Sequence, residues 1–77
     1  MIDIERIDWD AVVEDLRASI SNEQAFADGS SIYERVMFEG NILRMEAEIE
    51  CIKEGNYEPV IDYYGEEVFE DFMKEER

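Results

Sequence analysis

The chain of 77 residues is predicted to form one α+β domain over residues 1–77, with an N-terminal helix, a three-stranded antiparallel β-meander and a short C-terminal helix. Two patterns support this fold class. Apolar residues follow a helical period near the N-terminus, and they alternate strictly with charged residues in the middle of the chain. Isolated glycines separate the segments, and no repeat or linker interrupts them, which indicates a single unit.

The first helix is predicted over residues 8–21, DWDAVVEDLRASIS. Its apolar residues fall on one helical stripe: Trp9, Val13, Leu16 and Ile20. Asp8 is expected to cap the helix, and Asp10 lies in the first turn, where the helix dipole favours negative charge. The turn-rich residues that follow are expected to end the helix before Ser31.

Two strands are predicted next, SIYERVMF (31–38) and ILRMEAEIECI (42–52), joined by a short connection that contains glycine. The second strand rests on the unbroken alternation from Leu43 to Cys51. A single helix through residues 32–54 is the alternative, because the segment also has helical spacing and good helix formers. The strands are preferred because several apolar residues lie away from that helical stripe and because Gly40 and Asn41 interrupt it.

The third strand is predicted over YEPVIDYY, residues 57–64, whose aromatic and branched residues favour β-structure. Pro59 cannot donate a backbone hydrogen bond, so this strand is placed at the edge of the sheet. After Gly65, the segment EEVFEDFMKEER predicts the terminal helix, because its apolar residues share one helical face.

The charge of the chain is far from balanced. Asp and Glu number 22 against seven Lys and Arg, which gives a net charge of −15. A small soluble domain usually keeps its net charge to a magnitude of about 2–8. Such a field repels nucleic acid and anionic membranes and attracts basic partners. A domain of this size is also only marginally stable alone, so we expect a homodimer.

The alternating segment predicts a row of carboxylates. On a strand, alternate residues project from one face about 6.6 Å apart, so Glu46, Glu48 and Glu50 would form a straight anionic row. Such a row could occupy a basic groove that otherwise holds DNA phosphates. A solvated face that carries glutamate for solubility is the alternative explanation. Further candidate contacts lie on the predicted helices: Asp10, Glu14, Glu70 and Asp71.

In its length, its charge and its acidic segment MEAEIE, the chain resembles small acidic phage proteins that mimic DNA, in particular phage-encoded inhibitors of the bacterial nucleoid protein HU. The resemblance implies a dimeric mimic that enters the DNA-binding cleft of HU in the host cytoplasm and displaces DNA. Composition does not identify that target. The alternative is an acidic adaptor or antitoxin-like module that binds a basic surface unrelated to DNA.

Catalysis is not expected, and neither is a cofactor or a structural metal. The chain has no histidine, which removes the usual general base, and no phosphate-binding loop or EF-hand pattern. Cys51 lacks a nearby basic activator and is expected to be an inert, buried small residue. The lone cysteine, the acidic N-terminus and the lack of a long apolar run favour a soluble cytoplasmic protein.

Overall fold

The computed structural model describes residues 2–74 and is built of helices. The α-helices are α1 (Trp9–Asp28), α2 (Ile32–Lys53), α3 (Glu58–Tyr64) and α4 (Glu66–Phe69), with 3₁₀ turns at Ile4–Arg6 and Glu70–Phe72. Within residues 2–74 there is no sheet, and an isolated antiparallel bridge joins Ile7 to Met73. The prediction of an α+β fold with a three-stranded meander is therefore wrong, and the domain is all-α.

Helix α1 confirms the predicted N-terminal helix but is longer. The side chain of Asp8 accepts a hydrogen bond from the amide of Ala11 and caps the helix, and Asp10 lies in the first turn. The helix continues past residue 21 to Asp28, because the segment NEQAFAD contains no residue that breaks it. The cluster of Gly29 and Ser30 then ends it.

Helix α2 replaces both predicted central strands, and it matches the alternative of a helix through residues 32–54. Ser31 caps its start by accepting a hydrogen bond from the amide of Glu34. Its inner face has apolar residues at helical spacing, and these pack against the rest of the protein: Phe38, Ile42, Met45, Ile49 and Ile52. The strand prediction failed because seven of the nine residues of the alternating segment (43–51) have high helix propensity, namely Leu, Arg, Met, Glu and Ala.

The predicted third strand is helix α3. Pro59 lies in the first turn of α3. Backbone amides there have no intrahelical acceptor, so the missing amide proton of proline costs no helical hydrogen bond. Helix α4 begins after Gly65 as predicted, but it gives way to a 3₁₀ turn after Phe69. Residues 75–77 of the predicted terminal helix lie outside the described residues.

Helices α1 and α2 form a hairpin, and α3 and α4 cover only one part of it. There they enclose the main core: Ile7, Val12, Leu16, Met45, Ile49, Ile52, Val60, Ile61 and Phe69. We call residues 2–24 and 44–74 the body and residues 25–43 the hairpin end. The molecule measures 48 × 21 × 20 Å, and the hairpin end carries no covering helix.

Aromatic packing and paired chain segments stabilise the body. Trp9 stacks on Tyr57 at a centroid distance of 4.2 Å and donates a hydrogen bond of 3.1 Å to the carbonyl of Ile4. The amide of Asp8 donates to the carbonyl of Phe72, and the amide of Lys74 donates to that of Arg6, each at 2.7 Å. These bonds fix the start of α1 against the segment after α4.

Candidate protein-interaction site

The predicted row of Glu46, Glu48 and Glu50 does not form, because these residues lie on a helix. Neighbouring side chains on a helix are rotated by about 100°, so alternate residues point in nearly opposite directions. Glu46 and Glu50, one turn apart, are exposed, whereas Glu48 points into the body and is 8% exposed. Glu48 is therefore excluded as a contact residue, and the other two remain candidates.

Glu48 belongs to a polar cluster between α2 and α3. The hydroxyl of Tyr64 donates a hydrogen bond of 2.8 Å to Oε1 of Glu48, and Nε of Arg44 lies 3.6 Å from the same oxygen. Arg44 also donates to the hydroxyl of Tyr63 at 2.8 Å. Burial and the hydrogen bond to Glu48 raise the pKa of Tyr64 to about 12. The cluster joins the two helices, so the role of Glu48 is structural.

An acidic row does exist on α2, but it follows the helical period. Glu46 and Glu50 lie on α2, and Glu54 is the residue that caps its C-terminus. The three are four residues apart and exposed, and we call them the acidic ridge. Four residues advance along a helix by about 6 Å, close to the spacing expected of the predicted strand. Glu54 was missed because the predicted strand ends at residue 52, before it is reached. A helical reading of the segment would have found it.

Two candidate residues of α1 line a groove beside the C-terminal end of α2. Asp10 and Glu14 are exposed and line a groove together with Arg17 and Lys53. The amino group of Lys53 lies 3.8 Å from Oε1 of Glu50 in an exposed ion pair. Lys53 thus pairs with one predicted contact residue, Glu50, and shares a groove with two others. This arrangement depends on the packing of α1 against α2, which the sequence pattern did not indicate.

Glu70 and Asp71 belong to a separate acidic area. Both are exposed on the 3₁₀ turn after α4. Glu70 lines a groove with Asp3, Arg6 and Glu66 that includes no residue of α1 or α2. The two C-terminal candidates are accessible, but they are not part of the acidic ridge.

Little of this charge is neutralised by the chain itself. Within residues 2–74, the ion pairs shorter than 4.0 Å are Arg44 with Glu48 and Lys53 with Glu50. Several acidic residues instead have another acid one helical turn away, as in Asp10 with Glu14 and Glu46 with Glu50. The body therefore presents exposed carboxylates that are available to pair with cations of another molecule.

The hairpin end has the opposite character. It contains three acids and one arginine of the 22 acidic and seven basic residues in the chain. Large apolar side chains are exposed there: Phe26, Ile32, Tyr33, Val36, Met37 and Leu43. The protein thus carries an acidic body at one end and an apolar surface at the other.

The chain matches no protein-family model, no curated protein and no solved structure. Among residues 2–74, no three acidic or thiol side chains converge closely enough to hold a metal ion. Across the same part of the chain, every helix is too short or too polar to cross a lipid bilayer.

Proposed function

We propose that this protein is a DNA mimic that binds the basic DNA-binding surface of a host protein, such as an HU-like nucleoid protein, and displaces DNA in the bacterial cytoplasm. One observation carries the proposal: the acidic ridge is exposed and repeats at about 6 Å along the C-terminal part of α2 and its cap residue. Asp10 and Glu14 add two exposed carboxylates on α1.

The arrangement of these acids supports a role in binding. Like charges one helical turn apart destabilise a helix by about 0.2–0.5 kcal/mol per pair. Glu46 and Glu50 form such a pair, as do Glu50 and Glu54, and Asp10 and Glu14 form another on α1. Solubility requires far less charge than −15. A basic partner would remove this repulsion on binding.

The mechanism is competition for cations. Lys and Arg side chains that hold DNA phosphates would pair with the carboxylates of the ridge and of α1. Because the whole body is acidic, its field would steer the protein toward a basic cleft and make association fast and sensitive to salt. No reaction and no cofactor are required.

A competition assay tests the proposal. Fluorescently labelled duplex DNA is bound to a purified HU-like protein, and the unlabelled chain is titrated in while anisotropy is recorded. We expect the DNA to be released, with a midpoint that rises steeply with salt concentration. The triple variant Glu46→Gln, Glu50→Gln and Glu54→Gln should release DNA only at about tenfold higher concentration, a loss of about 1.4 kcal/mol.

A matched control separates the ridge from total charge. The variant Glu5→Gln, Glu66→Gln and Glu67→Gln removes the same number of charges from exposed positions outside α2. It should retain most of the activity. Equal loss in both variants would show that only net charge matters, and absence of release by the wild-type chain would refute DNA mimicry toward that protein.

A second candidate function is an acidic adaptor or antitoxin-like module that binds a basic surface unrelated to DNA. The apolar hairpin end favours it, because the exposed side chains of Phe26, Tyr33 and Met37 do not resemble any phosphate surface of DNA. The same assay distinguishes the two. An adaptor would bind its partner, as seen by calorimetry, and leave DNA on that partner undisturbed.

A further inference from the structure

Helix α2 is apolar on two opposite faces. Its inner face packs against α1 and the body, as described above. Its outer face carries a second stripe whose members recur at intervals of three, four, three and four residues, and we call it the outer stripe: Tyr33, Val36, Gly40, Leu43 and Ala47. All of these residues are exposed. A surface helix normally has one apolar face. A second apolar face such as the outer stripe therefore indicates a surface that packs against another molecule.

The spacing of the outer stripe is that of a helix–helix seam. Alternating intervals of three and four residues give the period of 3.5 at which paired helices keep one face in contact. The stripe runs from the hairpin end onto the body and is flanked by Ile32 and Met37, which are 81% and 70% exposed. A second helix lying along α2 would bury this surface.

The amount of surface is close to what a stable dimer needs. The large apolar side chains of the outer stripe and its flanks expose on the order of 500 Å² in total, at about 100 Å² each. They are 64–87% exposed: Ile32, Tyr33, Val36, Met37 and Leu43. A standard interface buries about 800 Å² on each partner. Polar atoms at the rim of a helix pair would supply the remainder, so one pair of α2 helices suffices.

The order of side-chain sizes along the stripe indicates a second copy of the same chain. Tyr33, at 87% exposure, lies seven residues before Gly40, and the small Ala47 lies seven residues after it. If two α2 helices pair antiparallel about a twofold axis at Gly40, Tyr33 of each copy meets Ala47 of the other. A Cβ atom at Gly40 would meet nothing within 4 Å in the single chain. Because glycine has no side chain to fill this space, the two helices can approach closely at the axis.

The distribution of charge selects the antiparallel arrangement. The hairpin end is the least acidic part of the chain, so contact there brings the fewest carboxylates together. An antiparallel pair places the two acidic bodies at opposite ends, whereas a parallel pair places them side by side and adds their repulsion. We infer that the outer stripe of α2 is a homodimer interface in which two copies pair antiparallel across Gly40.

Sedimentation equilibrium of the purified chain tests the interface. We expect a reversible equilibrium between 9.1 kDa monomers and a species of twice that mass. Gly40→Gln should weaken self-association by about tenfold or more, a loss of about 1.4 kcal/mol, because its side chain fills the closest point of the contact. It should leave the fold of the single chain intact, since glycine within a helix is itself destabilising.

Glu34→Gln is the control, because it places the same side chain on α2 away from the outer stripe and should leave self-association unchanged. Circular dichroism verifies that both variants stay helical. A wild-type chain that remains monomeric at millimolar concentration overturns the inference. So does a folded Gly40→Gln variant that dimerises as well as the wild type.

Disulfide trapping tests the orientation. Two chains are made in a Cys51→Ala background, one with Tyr33→Cys and one with Ala47→Cys, and they are oxidised as a mixture. An antiparallel pair gives the mixed disulfide between the two kinds of chain, whereas a parallel pair gives disulfides between identical chains. Only the first result supports the inference. These measurements involve neither DNA nor a basic partner, so their outcome is independent of the proposed function.

Discussion

The hydroxyl of Tyr64 on α3 donates a hydrogen bond of 2.8 Å to the carboxylate of Glu48 on α2. This bond joins the short helix to the hairpin through a largely buried acid, and Arg44 lies beside the same oxygen. A buried carboxylate is stable only when its hydrogen bonds are satisfied. The pairing therefore contributes to the position of α3.

Stability at alkaline pH should depend on Tyr64. Its pKa is raised to about 12 in the folded protein, mainly by burial and then by the hydrogen bond to Glu48, from an ordinary value of 10.0. The folded state thus favours the protonated phenol. The contribution of Tyr64 to stability is complete below pH 10 and is lost as the pH rises toward 12.

Urea unfolding measured at a series of alkaline pH values checks this prediction. The free energy of unfolding of the wild-type protein should decrease between pH 10 and 12. The variant Tyr64→Phe should be less stable at neutral pH and should show a flatter decrease over that range. An identical slope in both proteins would contradict the role assigned to Tyr64.

Glu48 and Glu46 should respond oppositely to substitution. Glu48→Ala removes the acceptor of Tyr64 and the ion-pair partner of Arg44, which should cost roughly 2 kcal/mol of unfolding free energy. Glu46→Ala, at an exposed position two residues away, should be neutral or slightly stabilising, because it relieves repulsion with Glu50. Chemical denaturation of both variants measures the difference, and equal destabilisation would argue against a buried role for Glu48.

Salt should stabilise the protein by screening its excess negative charge. Raising ionic strength from about 0.01 M to 1 M shortens the Debye length from about 30 Å to about 3 Å. The melting temperature should rise accordingly. The triple variant at Glu46, Glu50 and Glu54 should start from a higher melting temperature in low salt and gain less from added salt. Differential scanning calorimetry gives both values, and an equal gain would show that the ridge contributes no net repulsion.

Replacing Gly65 with alanine should destabilise the protein, whereas Gly29 should tolerate a side chain. Gly65 has φ 85° and ψ 155°, a region that residues other than glycine rarely adopt, while Gly29 has φ −100°. Gly65→Ala should cost about 1–3 kcal/mol because of backbone strain, and Gly29→Ala should cost little. Neither substitution meets a neighbouring atom within 4 Å, so thermal unfolding of the two variants isolates the backbone effect.

Phe69 should be central to the core. It is 1% exposed and lies 5.4 Å from the ring of Trp9. Phe69→Ala should destabilise the protein by about 3–5 kcal/mol, enough to unfold much of a small domain. Trp9 fluorescence reports the change directly. Phe69→Leu, which keeps most of the apolar volume, should remain folded, and a stable, native-like Phe69→Ala protein would contradict this account of the core.

The sequence identified the N-terminal helix and its cap because Asp8 and the apolar stripe act locally. It did not identify α2, because two apolar faces on one helix can be mistaken for the alternation of a strand. The exposed position of Leu43 and Ala47 resolves the ambiguity, and exposure is a property of the tertiary structure. Pro59 was equally compatible with an edge strand and with the first turn of a helix, and the structure shows the helix.

The candidate contact residues were predicted in part. Accessible positions for Asp10, Glu14, Glu46 and Glu50 follow from polarity alone, but the burial of Glu48 depends on Tyr64, which lies sixteen residues away in the chain. The approach of α1 to Lys53 depends on the hairpin. The addition of Glu54 to the ridge depends on the helical period, so the error in secondary structure carried over directly into the site.

The pairing of residues 6–8 with residues 72–74 determines how the molecule would respond to mechanical force. The two segments run antiparallel, and Ile7 bridges Met73. Tension applied through Ile2 and Lys74 would load the hydrogen bonds between the two segments one after another, in the unzipping geometry. It would not load them all at once, as in the shearing geometry. In an optical trap, a protein pulled in this way should unfold at low force. The pairing of the two terminal segments in the body should break first, and α1 and α2 should separate afterwards.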